Sequence, residues 1–382
     1  MFKIDVVYIF LNLILLFVFI IAGQNVSKGR KYMPNAMLCI IFYALIFGLR
    51  YARGDDYFHY QEIYLKGYDE GSQILYVLIN DTLNFLGVNE FGFFGVYNFI
   101  EMSCGMFFLY KYRKYAKYLF PLFLIATINL NENTIRQGLG FGFVFLCLNQ
   151  ITIIEHYGIS TLKRHKQEIL KAIIYFTCAY SIHSMCGYVS VLMVLIHFFF
   201  KKPIPISISI PTLLFCAYLF SAWFDFSYLN PIIASVAGGD ERMASYVENS
   251  DRWFSPEGVE EELYARKPIV LIFEMLGTIS LYYLGKLAIK KYDISGFVDF
   301  YNFFIIGSIT LNAFRTLEIL NRVGTTFALF WFFPLSIVLF YRKQLMRKPI
   351  TIFWGVFLIW WSYDYMRHLV MRGDKTLFLW DI

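Results

Sequence analysis

Continuous apolar runs of about 13 to 20 residues recur along this chain, separated by short polar segments. Runs of this kind predict bilayer-spanning helices. A membrane β-barrel would instead need alternating apolar and polar positions. The runs lie at 4–22, 35–49, 91–110, 118–131, 137–154, 170–184, 186–200, 204–223, 268–285, 297–314, 323–341 and 349–366. They predict one all-α polytopic membrane domain over 1–382 with about twelve transmembrane helices and a large outer loop at 224–267. Residues 73–88 are also apolar, but Asn80, Asp81 and Asn84 interrupt them, so they predict a helix lying in the interface. The first run is preceded only by Lys3 and Asp5 and followed by no small-residue cleavage site, which favours a first span over a signal peptide. The runs that end at Asn131 and His183 have only about 13 or 14 apolar residues, so they predict a thinned bilayer or sunken tips.

Composition sharpens this reading. The 382 residues are 58% hydrophobic and only 16% charged, which excludes an ordinary soluble domain. Six cysteines lie in or beside apolar runs without metal-type spacing, as small core residues would. The net charge of +6 implies no nucleic-acid partner, because its distribution explains it. Basic clusters at 28–31, 111–117, 163–171, 201–202, 286–291 and 342–348 punctuate the runs and are cytoplasmic by the positive-inside rule. With those segments inside, the inner side holds 15 Lys and 5 Arg, and the outer side 4 Lys and 10 Arg. Topology requires only positive charge. A preference for arginine outside points to the guanidinium fork, which binds phosphate bidentately and sheds water more easily than ammonium.

The polar edges on that outer side are the candidate sites. Arg50-Tyr-Ala-Arg53-Gly-Asp55-Asp56-Tyr57-Phe-His-Tyr60 follows the second run, with Gly54 allowing a tight turn. Arg136-Gln137 is predicted to open a descending helix, where the helix N-terminus and the guanidinium both favour an anion. Gly138, Gly140 and Gly142 follow at alternate positions and permit close approach of a helix or a lipid chain. His183-Ser184 marks the next tip, as a proton carrier or a neutral donor. In the large loop Arg242 and Tyr246 stand four apart, beside acids and aromatics suited to sugar rings. Arg315 and Arg322 bracket the last tip, with Arg322 predicted to open a helix as Arg136 does. Two adjacent acids, Asp55 and Asp56, are poorly spaced for one ion, so the sequence predicts no metal site.

In this order the set resembles the EpsG-like branch of Wzy-type polysaccharide polymerases, the bacterial O-antigen and capsule polymerases. The resemblance is carried by Arg50 with Gly54-Asp55-Asp56-Tyr57 and Tyr60, then Arg136-Gln137, His183-Ser184, Arg242 with Tyr246, and Arg322-Val323-Gly324. Asp55 departs from the pattern, where a small or hydroxyl residue more often precedes the aspartate. The resemblance implies a GT-C-like helical fold in the bacterial inner membrane and a reaction at its periplasmic face, without metal or cofactor. It implies an undecaprenyl-diphosphate-linked oligosaccharide as substrate, membrane lipid around it, and a chain-length regulator and flippase as pathway partners. Arg136 and Arg322 would then stabilise the leaving diphosphate, with Asp56 or His183 taking the acceptor proton. Arg50, Arg53, Asp55, Tyr57, Tyr60, Gln137, Arg242, Tyr246 and Arg315 would bind substrate. An O-antigen ligase would share the diphosphate site, whereas a flippase would place its polar groups near the midplane.

Overall fold

The computed structural model describes residues 2–51, 57–67, 73–154, 163–220, 268–314, 318–345 and 377–378. Every apolar run among them forms a helix. The first are α1 (Phe2–Ser27), α2 (Tyr32–Gly48), α3 (Tyr57–Lys66), α4 (Ile74–Phe85), α5 (Glu90–Tyr110), α6 (Ala116–Asn133) and α7 (Ile135–Ile151). There follow α8 (Lys166–Ile182), α9 (Ser184–Phe199), and α10 (Ile206–Phe215), which runs on as a π turn, Cys216–Phe220. The remainder are α11 (Pro268–Lys291), α12 (Phe297–Ala313), α13 (Glu318–Ala328), α14 (Phe332–Phe340) and the short α15 (Arg342–Leu345). A two-residue antiparallel ladder joins β1 (Arg50–Tyr51) to β2 (Leu377–Phe378), pairing Arg50 with Phe378 and Tyr51 with Leu377. The predicted 349–366 span and the 224–267 loop lie outside the described residues.

Among the described residues four stretches are long and apolar enough to cross a membrane by length and composition: Val7–Ser27, Glu90–Tyr110, Leu271–Lys291 and Asn321–Phe340. α2, α9, α10 with its π turn, and α12 are shorter apolar helices. The two short runs extend into longer helices, which remain a little shorter than a hydrocarbon core of about 30 Å. α6 has 18 residues and α8 has 17, so each is about 26 Å long, because polar residues flanking the apolar run are helical too. α4, with 12 residues, is about 18 Å long, too short to cross, and only Tyr76, Asn80 and Leu83 on one face are buried.

Inside the bundle, polar side chains return to their own helix. Thr127, Ser190, Ser308, Asn312 and Ser336 each donate to the carbonyl four residues earlier, which satisfies them where no water is available. Close helix approach uses small residues. A Cβ on Gly307 would lie 2.0 Å from the backbone nitrogen of Ala328, and one on Gly324 would lie 2.6 Å from that of Leu311. α12 and α13 therefore touch backbone to backbone at two levels.

The basic segments converge on one end of the bundle. Lys111 donates to Thr152, Lys114 to the Tyr341 hydroxyl and Lys291 to the Gln344 carbonyl. The Lys117 amide donates to Ser27, and Asn302 donates to the Lys202 carbonyl. Arg30, Lys111, Arg113 and Lys114 line one hollow there. Asp299 belongs to this end too, as the third residue of α12, with its carboxylate 3.0 Å from Nδ1 of the buried His197. That contact lacks the angle of a good hydrogen bond, while His197 Nε2 lies 2.8 Å from the Ile154 carbonyl. Glu101, by contrast, is buried halfway along α5.

Two main cores hold the described helices, beside a small cluster of Cys147, Ile151, Ile154 and Ala172. The larger is aliphatic and phenylalanine-rich and spans most of the helices, with Phe300 stacked on Phe330 at 5.4 Å. The smaller is aromatic and lies away from the lysine end. It joins Tyr57, Tyr60 and Tyr64 of α3, Tyr76 of α4, Phe93, Phe94 and Tyr97 of α5, Ile135 and Leu139 of α7, and Ile182 of α8.

Candidate functional site

The smaller core is the mount for the candidate site. It contains the neighbours of Arg136 (Ile135) and of His183 (Ile182), together with Tyr57 and Tyr60 themselves. Three polar edges that are far apart in sequence therefore share one packed cluster. Tyr57 stacks on Phe94 at 4.5 Å, and both it and Tyr60 are buried. These two tyrosines fasten α3 into the cluster.

Arg136 is the second residue of α7 and only 7% exposed. Its guanidinium carbon sits 5.2 Å from the centre of the Tyr76 ring. The next residue, Gln137, ties α7 to two other helices. Its amide donates to Thr326 Oγ1 of α13 at 3.4 Å, and its carbonyl accepts from the Cys186 thiol of α9 at 3.5 Å. Thr326 in turn donates to the carbonyl of Arg322 at 2.7 Å. Gln137 thus links the turn that carries Arg136 to the turn that carries Arg322.

His183 is the single extended residue between α8 and α9, at φ −152° and ψ 112°. Its Nδ1 is buried and has no hydrogen-bond partner among the described residues. Burial, then the charges of Arg136 and Arg322, pull its pKa down to about 3. Both arginines therefore act on one imidazole, which is neutral at physiological pH. α9 reaches this position because α7 carries no side chain at Gly140, where a Cβ would lie 2.8 Å from Cys186 Sγ and 3.4 Å from His183 Cβ. Gly142 lets the next level of α7 close on Glu101 and Cys104 of α5. The alternating glycines thus serve helix approach.

Arg322 departs from expectation in one respect. α13 begins at Glu318, so Arg322 is in its second turn and does not open the helix as Arg136 opens α7. The free N–H groups of a helix start are therefore available beside Arg136 only. Arg50 is 1% exposed, and its guanidinium carbon lies 5.7 Å from the Phe47 ring centre. Arg50 and Glu101 interact electrostatically and both act on Tyr43, so Arg50 lies near a buried acid.

Arg136, Gln137, His183, Arg322, Tyr57 and Tyr60 are therefore gathered, while Arg50 is buried beside Phe47. Arg53, Asp55, Asp56, Arg242, Tyr246 and Arg315 lie outside the described residues. Tyr76 and Thr326 were not singled out from sequence. Thr326 stands one helical turn after Arg322, and Tyr76 in a helix set apart by its polar interruptions. Among the described residues no three His, Cys, Asp or Glu side chains converge as metal ligands would.

A family model described as the EpsG family matches residues 35–379. No curated protein and no solved structure matches this chain.

Proposed function

We propose, from the premise that this chain belongs to the EpsG family, that it polymerises a bacterial surface polysaccharide. The growing glycan leaves one undecaprenyl diphosphate and joins an incoming lipid-linked repeat unit. The observation that carries this reading is that the guanidiniums of Arg136 and Arg322 both act on one imidazole, whose buried nitrogen has no partner among the described residues. A diphosphate fits such a place: it accepts bidentate hydrogen bonds from arginine and from a neutral N–H, and it gains negative charge as the sugar leaves.

In the reaction the bond between the anomeric carbon and the diphosphate oxygen breaks. A hydroxyl at the non-reducing end of the incoming unit forms the new glycosidic bond and gives up its proton. Arg136 and Arg322 stabilise the charge that develops on the departing phosphate, at roughly 10²–10³ in rate for each donor. His183, held neutral, orients the diphosphate by hydrogen bonding and is a poor proton acceptor. The proton then falls to Asp56, and the charge is met by arginines without a metal or cofactor. Arg53, Asp55, Arg242, Tyr246 and Arg315 complete the binding of lipid diphosphate and sugar.

The reaction is assigned to the periplasmic leaflet of the inner membrane, in a GT-C-like arrangement of about twelve spans. The gathering of the lysine segments at one end and Arg136, His183 and Arg322 away from it supports that orientation. A flippase and a chain-length regulator would work beside it. The test is the glycan profile of a deletion strain complemented with the intact gene or with Arg136→Ala. A polymerase leaves the deletion and the variant with a single capped repeat. Loss of all capping would identify a ligase, and repeats retained inside would identify a flippase.

A further inference from the structure

We infer that Tyr76 is a positioning residue for Arg136: its ring, carried on α4, packs against the guanidinium and so aims the N–H donors at the bound diphosphate. The inference deepens the proposed function and rests on it for the identity of the ligand. The guanidinium carbon stands 5.2 Å from the ring centre, and Tyr76 is 1% exposed, so the contact is desolvated. The ring is itself held from behind. Tyr97 meets it edge-on at 5.8 Å, and the Tyr97 hydroxyl donates to Asn80 Oδ1 at 2.8 Å. Tyr76 and Asn80 are one turn apart on α4, so the helix is fastened to α5 at both levels. The Tyr76 hydroxyl faces the Asn80 side chain without the geometry of a hydrogen bond. The ring, not the hydroxyl, is the part in use.

Chemistry explains why a ring suits this position. A guanidinium carries its five N–H donors in its own plane, so support on a π face leaves those donors directed around its edge. A carboxylate in the same place would take two of them and cancel the charge that an anion requires. An aliphatic residue would fill the space without attracting the cation. An aromatic platform fixes the cation and leaves its positive charge for the ligand.

The probe is undecaprenyl diphosphate itself, bound to the full-length protein in detergent micelles, so the repeat-unit sugars need not be known. Arg136→Ala should weaken binding about tenfold or more. Tyr76→Phe should bind within about twofold of the wild type, and Tyr76→Leu about tenfold more weakly, as loss of a desolvated cation–π contact requires. Combining Tyr76→Leu with Arg136→Ala should be no worse than Arg136→Ala alone. A shape-conserving series protects the test against misfolding: replacing Tyr76 by phenylalanine with one, two and three ring fluorines should weaken binding stepwise, because fluorine drains the ring face without altering the packing. Binding unchanged along that series, or additive losses in the double variant, would overturn the positioning role while leaving the diphosphate site intact. Undiminished binding by Arg136→Ala would instead remove the proposed function, and this inference with it.

Discussion

Gly324→Ala tests whether backbone contact between α12 and α13 sets the position of Arg322. The new methyl would meet the Leu311 nitrogen at 2.6 Å, its Cα at 2.8 Å and the Thr310 carbonyl carbon at 3.1 Å. All three are backbone atoms, so no side chain can swing aside. Ordinary contact needs about 3.5 Å, and α13 must therefore move outward by about 0.9 Å near this level. Alanine in place of a mid-helix glycine gains about 1 kcal/mol of helix propensity, against about 1–3 kcal/mol for forced overpacking. Folding should thus suffer modestly. Arg322 stands two residues away on the same helix, and Thr326, two residues beyond, holds Gln137. A displacement near 1 Å at a charge-stabilising group costs about a hundredfold in rate. Glycan chain length in a complemented deletion strain, read beside membrane protein level and melting temperature in detergent, separates the two effects. The expected result is near-normal protein with short or absent polymer. The control is Gly95→Ala, where the added methyl meets nothing nearer than 3.9 Å and should be silent. Full polymerisation by Gly324→Ala would refute the claim that this contact places Arg322.

Sidedness comes next: a cysteine introduced at Ser184 should react with an impermeant thiol reagent added outside the cell, and one at Lys166 should not; labelling at 166 would invert the topology. His183 titrates near 3 when folded and near 6.5 when unfolded, so between those values the unfolded chain binds the extra proton. The native state therefore loses stability as pH falls below about 6.5, and melting of His183→Gln should drop less between pH 7 and 5 than that of wild type. An acid limb near pH 6.5 in wild-type turnover that disappears in His183→Gln would contradict a neutral imidazole. Finally, purified enzyme should polymerise lipid-linked repeats in the presence of a chelator. Complete loss of activity, restored by magnesium, would shift attention to Asp55 and Asp56.

Legibility in the sequence followed the strength of the physical constraint. A lipid environment demands uninterrupted apolar runs, so the helices were readable, including the His183 break and the short α4 with Asn80, Asp81 and Asn84. The true ends of α6 and α8 were harder, because polar residues such as Lys171 are helical without being apolar. The start of α13 at Glu318 was missed for the same reason, and with it the second-turn position of Arg322. Arg136, His183 and Arg322 stood out as charges at edges where charge is costly. Tyr76 did not, since in a chain that is 20% aromatic another tyrosine carries no distinguishing signal. Nor did Thr326, whose hydroxyl behaves like the many that return to their own helix. The convergence of the edges depended on the aromatic core, and packing between distant helices leaves no periodic trace.

The ladder between Arg50–Tyr51 and Leu377–Phe378 carries a consequence for biogenesis. Arg50 emerges early in synthesis, on the heels of α2, yet its strand partner is made only after α14 and everything up to residue 376. Until then the backbone at Arg50 and Tyr51 lacks this pairing. Insertion of the helices alone therefore leaves this edge open, and a nascent protein halted anywhere upstream of Leu377 has its helices but not yet the ladder that joins the two distant segments. That edge would be completed late, only as Leu377 and Phe378 come into place.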